Sequence, residues 1–401
     1  KEVFRTVEKL IKDKKAVSVW SIAHGGVAEG IFKMSLGNQI GAKLDKLTDE
    51  ELFTPVYGAF IMELTEEADG VKTIGETVAD YTITSGDVKL DVASLEKKWD
   101  GVLEPIFKAQ LPEKPAPEKI SYTGGCELKH SSVKVAKPRV LIPVFPGTNC
   151  EYDTAKAFAR AGADPEILVV RNLTPADVAE SCEALVKAID ASQIVMLPGG
   201  FSGGDEPDGS GKFITAFFRN AAIKEGVTDL LENRDGLMCG ICNGFQALIK
   251  LGLVPYGKII DTDENCPTLT FNTIARHQSR IVRTRISSNK SPWLALTQVG
   301  DIYSVPISHG EGRFLASDEL IAKLAANGQI ATQYVDLDGN ASNDIHFNPN
   351  DSVCAIEGIT SPDGRVFGKM GHSERIGKGL YKNVPGDYNI RMFEAAVKYF
   401  K

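Results

Sequence analysis

Gly236-Leu-Met-Cys-Gly-Ile-Cys242-Asn-Gly-Phe-Gln246-Ala-Leu-Ile-Lys-Leu-Gly252 decides how this chain is read. A short apolar run ends at Cys242, Gly240 and Gly244 stand two residues either side, and a helical apolar pattern follows. That order describes a strand turning abruptly into a helix with Cys242 at the corner, the cysteine counterpart of the serine nucleophile elbow. At a helix N-terminus, unpaired N–H groups and the positive end of the dipole favour a thiolate over a thiol. Acyl transfer needs such a nucleophile, a base to manage its proton, and amide donors for the oxyanion. Two other readings of Cys242 stand beside this one: a buried structural thiol, and half of a Cys239-Gly-Ile-Cys242 redox pair. The pair is disfavoured because Cys239 falls inside the predicted strand, with its side chain in the core.

The base should be one of the chain's six histidines. Two occur in the same His-x-Glu arrangement: His309-Gly-Glu311 after the apolar run Ile302 to Ser308, and His372-Ser-Glu374 after Arg365 to Gly371. In an extended segment residues i and i+2 point the same way, so Glu311 or Glu374 can orient its histidine and stabilise the imidazolium. The residues themselves leave both pairs open.

Cys242-Asn-Gly-Phe-Gln246, the upstream Pro198-Gly-Gly-Phe-Ser202 and the downstream His372-Ser-Glu374 resemble, in that chain order, the fingerprints of class I glutamine amidotransferase domains. Such domains end in a strand leading into His-Pro-Glu and a last helix, so the resemblance implies a Cys242–His372–Glu374 triad. Ser373 stands where the family usually has proline. Phe145-Pro-Gly-Thr-Asn-Cys150, Pro198-Gly-Gly-Phe-Ser-Gly-Gly-Asp205 and Ser308-His-Gly-Glu-Gly-Arg-Phe314 further resemble the phosphoribosylformylglycinamidine synthases. The resemblance runs from about Arg139 to Lys401. It implies that His309 and Glu311 lie close to the glutaminase pocket, behind the triad or at an interdomain contact. It also implies that Gly199, Gly200 and Phe201 line the glutamine site, and that one N–H from Gly200 or Phe201 joins that of Asn243 in an oxyanion hole. Gln246, one helical turn beyond Cys242, reaches over the same face toward the bound amide. No metal is implied in this domain, and no cofactor.

Composition fits a cytoplasmic enzyme of two domains. At 401 residues the chain exceeds what one core usually holds, and 43% hydrophobic with 24% charged residues is ordinary globular usage. A net charge of −8 argues against nucleic acid or an anionic membrane as partner. Seven irregularly spaced cysteines suggest reduced thiols, and no apolar run is long enough for a membrane span. Pro112, Pro115, Pro117, Gly124, Gly125 and Pro138 mark residues 111–138 as a linker. Beyond it, from 139 to 401, apolar runs alternate with helical patterns, which predicts an α/β fold with a central, mostly parallel sheet flanked by helices. The elbow then sits at a strand's carboxyl end, where such folds bind ligands.

Residues 1–110 read as a smaller α/β half-domain: a helical stripe, the strand Ala16 to Trp20, then His24-Gly25-Gly26 opening a helix. Gly25 and Gly26 could present N–H groups to a phosphate, or form a plain tight turn. Ser21 to Met34 and Leu52 to Ile61 resemble the C-terminal half of aminoimidazole ribonucleotide synthetase-like domains, which directly precedes the glutaminase in the large single-chain synthases. Ile22-Ala-His24 replaces the acidic residues usual there, so the resemblance implies a degenerate copy. The chain also starts at Lys1 without the ATP-grasping part, so it is expected to be the C-terminal portion of a longer protein. Its partners would then be glutamine and the missing synthetase portion, which uses ATP and Mg2+. Other readings are a glutaminase serving a different amidotransferase, a cysteine hydrolase of related fold, and a catalytically silent assembly domain.

Overall fold

Strand and helix alternate from the first residues, as the switching between apolar runs and helical stripes predicts. The computed structural model describes residues 1–108, 111–124, 130–203 and 211–401, and it falls into two units, Lys1–Ala109 and Gln110–Lys401. Gly125 of the linker and Gly204 and Asp205 of the Pro198 segment lie outside the described residues.

The first unit runs α1 (Glu2–Lys12), β1 (Ala16–Ser21), α2 (Gly26–Leu36), β2 (Gly41–Leu44), α3 (Asp49–Phe53), β3 (Phe60–Leu64), β4 (Gly75–Val78), β5 (Thr82–Ser85), β6 (Val88–Asp91) and α4 (Val92–Asp100). β1 pairs antiparallel with β3, and the remaining strands form a sheet in the order β4-β2-β5-β6 around a small core of Ile31, Ala42, Ile83 and Val92. At the start of α2 the N–H of Gly25 donates to the carboxylate of Glu29 (2.9 Å). The chain's own carboxylate therefore occupies the anion position that this helix start offers.

In the second unit, β7 (Arg139–Val144), α5 (Glu151–Ala161), β8 (Asp164–Val169), α6 (Pro175–Ala191), β9 (Ile194–Leu197), α7 (Lys212–Phe218), α8 (Ala221–Glu232), β10 (Leu237–Ile241) and α9 (Asn243–Leu251) build the first half. There follow α10 (Leu253–Tyr256), β11 (Thr268–Phe271), β12 (Gln278–Ile286), β13 (Ile302–His309), β14 (Glu311–Leu315), α11 (Asp318–Ala326), β15 (Ile330–Val335), β16 (Ile356–Thr360), β17 (Val366–Lys369) and α12 (Met392–Tyr399). Nine strands form one sheet in the order β13-β12-β15-β16-β17-β10-β9-β7-β8. The run β17-β10-β9-β7-β8 is parallel, and the other four strands continue it antiparallel. β9, β10 and β17 are buried throughout, the consequence of helices covering both faces of a parallel sheet.

The segment 111–138 carries no helix or strand among its described residues, yet it is fastened along the second unit. Lys114 pairs with the buried Asp351 (2.6 Å), Ile120 N–H donates to Gln333 Oε1 (2.8 Å), and Val135 N–H donates to Phe400 O (2.9 Å). Among the described residues no helix is long and apolar enough to cross a membrane.

The elbow depends on backbone approach. A Cβ on Gly244 would lie 2.1 Å from the carbonyl oxygen of Leu197, and one on Gly240 would lie 2.5 Å from the backbone of Gly244. Backbone cannot swing aside as a flexible side chain can, so α9 would have to lift off the sheet. Gly244→Ala is expected to destabilise the unit by about 1–3 kcal/mol, the usual range for overpacking. Urea titration checks this, and an unchanged midpoint would show that α9 accommodates the methyl group.

Candidate active site

The carboxyl ends of β7, β9, β10 and β17 converge on one edge of the sheet. Cys242 stands between β10 and α9 with φ 53° and ψ −106°. Left-handed backbone at a non-glycine residue is strained and persists only where its surroundings over-determine it. Here Cys242 N–H donates to Lys369 O (2.9 Å), and Gln246 N–H donates to Cys242 O (3.0 Å). The corner is thus tied to β17 on one side and to the first turn of α9 on the other. Burial pushes the Cys242 thiol up to about 12, with Cys150 and Glu374 adding to it and the Asn243 N–H and Arg375 opposing. The helix terminus that favours a thiolate is outweighed by loss of solvent. Cys242 therefore rests as a thiol, and its chemistry requires a base. Cys239 points into the core from β10, and both cysteines are free.

His372 and Glu374 follow β17, the strand beside β10. His372 Nδ1 lies 2.6 Å from Glu374 Oε1, both side chains being almost wholly buried, and His372 Nε2 is buried without a hydrogen-bond partner. Burial works against the charged form of Glu374, but His372 and Arg375 outweigh it and hold the carboxyl below its ordinary value. Gly199, at the end of β9, separates the two groups. A Cβ there would lie 2.7 Å from His372 Cε1 and 3.4 Å from Cys242 Cβ, so only a hydrogen fits.

A buried ion pair holds this turn in place. Lys369 Nζ and Glu357 Oε1 are 3.1 Å apart, both side chains at most 1% exposed. Lys369 also donates to Gly371 O (2.8 Å) and Ser373 Oγ (3.1 Å), while Glu357 accepts from Gly371 N–H (2.6 Å) and Thr332 Oγ1 (2.5 Å). Ser373 supplies a hydroxyl acceptor to a lysine buried away from solvent.

The loop after β9 is bridged to the loop after β7. Asn149 N–H donates to Gly199 O (3.2 Å) and Phe201 N–H to Gly147 O (2.8 Å). The Phe201 N–H is therefore committed, whereas the Gly200 N–H takes no part in this bridge. Asn243 and Gln246 are both buried and linked: Asn243 Oδ1 accepts from Ser202 N–H (3.3 Å), and Asn243 Nδ2 donates to Gln246 Oε1 (3.0 Å). Gln246 Nε2 in turn donates to the backbone carbonyl of Glu311 (2.5 Å). The His-Gly-Glu-Gly segment thus touches the elbow, and Ser308 O lies 3.9 Å from Cys242 Sγ.

His309 is 2% exposed and both its ring nitrogens lack a hydrogen-bond partner. Burial, with His372, His277 and Lys369 nearby, drives its pKa well below the ordinary 6.5, so it is neutral at physiological pH. The sign follows: below about pH 6.5 the unfolded chain takes up a proton that the folded chain refuses, and stability falls with pH. His309→Gln is expected to flatten that part of the acid slope, read from urea midpoints at about pH 7.5 and pH 5.5. An identical slope in the variant would show that His309 is not neutralised by its surroundings.

Two site residues, Cys150 and Arg375, have no role that their sequence pattern assigns. Cys150, at the start of α5, is wholly buried, with Sγ 3.9 Å from His372 Nδ1 and donating to Asn149 Oδ1 (3.0 Å). Arg375 Nη2 donates to the same sulfur (2.8 Å). Burial, then Glu374, pushes the Cys150 thiol up to about 12 against Arg375. The donor atoms of Cys150, His372 and Glu374 all lie within 4.8 Å of one another. The signal was present in Phe145-Pro-Gly-Thr-Asn-Cys150, a segment that carries resemblance but whose spacing names no chemistry.

A mixed sheet of this kind, whose parallel half carries a cysteine elbow, is the class I glutamine amidotransferase fold. The chain belongs to the CobB/CobQ-like glutamine amidotransferase domain family, which matches residues 137–400. It is similar to the phosphoribosylformylglycinamidine synthase subunit PurQ of Methanococcus maripaludis, 34% identical over an alignment of 284 positions that covers 66% of this chain and 97% of that protein. The subunit of the same name from Dehalococcoides mccartyi is 35% identical over 247 residues, 61% of this chain and 88% of that one. Among solved structures, a chain of PurLQS from Thermotoga maritima is 26% identical with a TM-score of 0.48, covering 66% of this chain and 100% of its own. Residues before 137 lie outside the family match.

Proposed function

We propose that the second unit hydrolyses glutamine through Cys242, His372 and Glu374, and that the ammonia serves the ATP-dependent conversion of formylglycinamide ribonucleotide to formylglycinamidine ribonucleotide in purine biosynthesis. One observation carries the chemical part: His372 is held by Glu374 through Nδ1, and its Nε2 is buried and unpartnered across Gly199 from a cysteine that rests as a thiol. The pathway rests on the similarity to proteins named as subunits of that synthase.

In this reading His372 Nε2 takes the thiol proton as Sγ attacks the carboxamide carbon of glutamine, and Glu374 stabilises the imidazolium. The N–H groups of Gly200 and Asn243 receive the oxyanion, each typically worth ~3 kcal/mol in the transition state. Gln246 holds Asn243 and the Glu311 segment together. Collapse passes the proton from His372 to the leaving ammonia and leaves a thioester on Cys242. Water, deprotonated by His372, then releases glutamate and the thiol.

The synthetase component, with ATP and Mg2+, would be the partner, in the cytoplasm. The first unit would belong to it as an aminoimidazole ribonucleotide synthetase-like half-domain. Glu311, whose carbonyl accepts from Gln246, and His309 two residues before it would report the partner's loaded state to the triad. Glutamate release by the chain alone is expected to be slow. Addition of the synthetase component, ATP and the ribonucleotide should raise it by about 5–150-fold, the usual span of coupling between sites. Full turnover by the chain alone would contradict the gating role of His309 and Glu311.

A further inference from the structure

We propose that Cys150, His372 and Glu374 form a binding site for a thiophilic divalent cation of the zinc class, and that its occupation switches glutamine hydrolysis off. The second part rests on the triad reading above. Glutamine hydrolysis gives no reason for a second buried sulfur beside the histidine. Yet one sulfur, one imidazole nitrogen and one carboxylate oxygen converge within 4.8 Å, all on buried residues. These are the ligand types zinc takes. With Zn–S about 2.3 Å and Zn–N about 2.0–2.1 Å, sulfur and nitrogen at tetrahedral angles stand about 3.5 Å apart. The observed Sγ–Nδ1 separation is 3.9 Å, so the two groups need only a small adjustment. Glu374 Oε2 is buried and without a hydrogen-bond partner, an acceptor that a cation would satisfy.

The ligand charges balance those of the ion, and Arg375 remains beside them as a further cation. A thiolate and a carboxylate neutralise the ion, and a coordinating thiol gives up its proton, here to solvent. Arg375 already donates to Cys150 Sγ and has Asn149 Oδ1 at 3.4 Å as a second acceptor, so its guanidinium can turn toward that oxygen as the ion enters. When Nδ1 takes the metal it gives up its hydrogen bond to Glu374, and the proton of the neutral ring passes from Nδ1 to Nε2. That is the nitrogen that must accept the proton of Cys242, so the metal removes the base without touching the nucleophile.

Cobalt(II) titration of the full chain, read as thiolate-to-metal charge-transfer absorption and followed by zinc competition, tests the site. The band is expected in the unaltered protein and in Cys242→Ala. It should be lost in Cys150→Ser, whose zinc affinity should fall at least about tenfold, the lower end for loss of even an indirect ligand partner. Zinc should also slow labelling of Cys242 by a glutamine-derived diazo-ketone, and a chelator should restore it. No band in the unaltered protein, a band lost in Cys242→Ala, or a band kept in Cys150→Ser overturns the site. If Cys150→Ser does not fold, as circular dichroism would show, the comparison of Cys242→Ala with the unaltered protein still decides. Labelling of Cys242 with no cobalt band would remove the metal site alone, whereas a cobalt band with no labelling even after a chelator has removed the metal would remove the triad reading.

Discussion

Cys242→Ala is expected to lower glutamine hydrolysis by at least about 10⁴-fold, measured with the synthetase component and its substrates present. The size follows from covalent chemistry: without the sulfur no thioester forms, and what remains is the contribution of the oxyanion donors and binding. Ammonia supplied directly bypasses the thioester, so ammonia-dependent synthesis should persist. Among the described residues, the two buried thiols nearest it do not substitute for it. Cys239 faces the core from β10, and Cys150 is held between Arg375 and Asn149. Substantial glutaminase activity in Cys242→Ala would move the nucleophile to another residue.

A comparable loss is expected for His372→Ala, again with ammonia-dependent synthesis retained, because His372 transfers the proton in both halves of the reaction. His309→Ala should cost no more than the stimulation by the partner, about 5–150-fold. Both histidines are buried near Cys242, but their surroundings differ: Glu374 holds His372 Nδ1, whereas both His309 nitrogens lack a hydrogen-bond partner and its proton affinity is strongly depressed. An imidazole that resists protonation is a poor acceptor for the thiol proton. If His309→Ala separates the two activities and His372→Ala does not, the two His-x-Glu pairs have exchanged roles.

The sequence makes the elbow legible because its requirements are local: an apolar run, small residues either side of Cys242, and a helix start. It does not distinguish the two His-x-Glu pairs by pattern, since both follow a strand. The difference lies in topology, for β17 pairs directly with β10 while β13 stands at the sheet edge and reaches the site only through its last residues. The state of the thiol is hidden for a similar reason. A helix N-terminus is visible in the sequence, but the burial that overrides it is assembled from strands far apart in the chain. The antiparallel half of the sheet and the Lys369–Glu357 pair behind Ser373 are likewise tertiary facts. Neither leaves a periodic trace.

Mass mapping of the adduct formed by a glutamine-derived diazo-ketone tests the central claim most directly, because the reagent needs both a glutamine pocket and an activated nucleophile. A single adduct on Cys242, reduced in His372→Ala and protected by glutamine, is the expected result. An adduct on Cys150 or Cys239 with Cys242 unmodified would contradict the account.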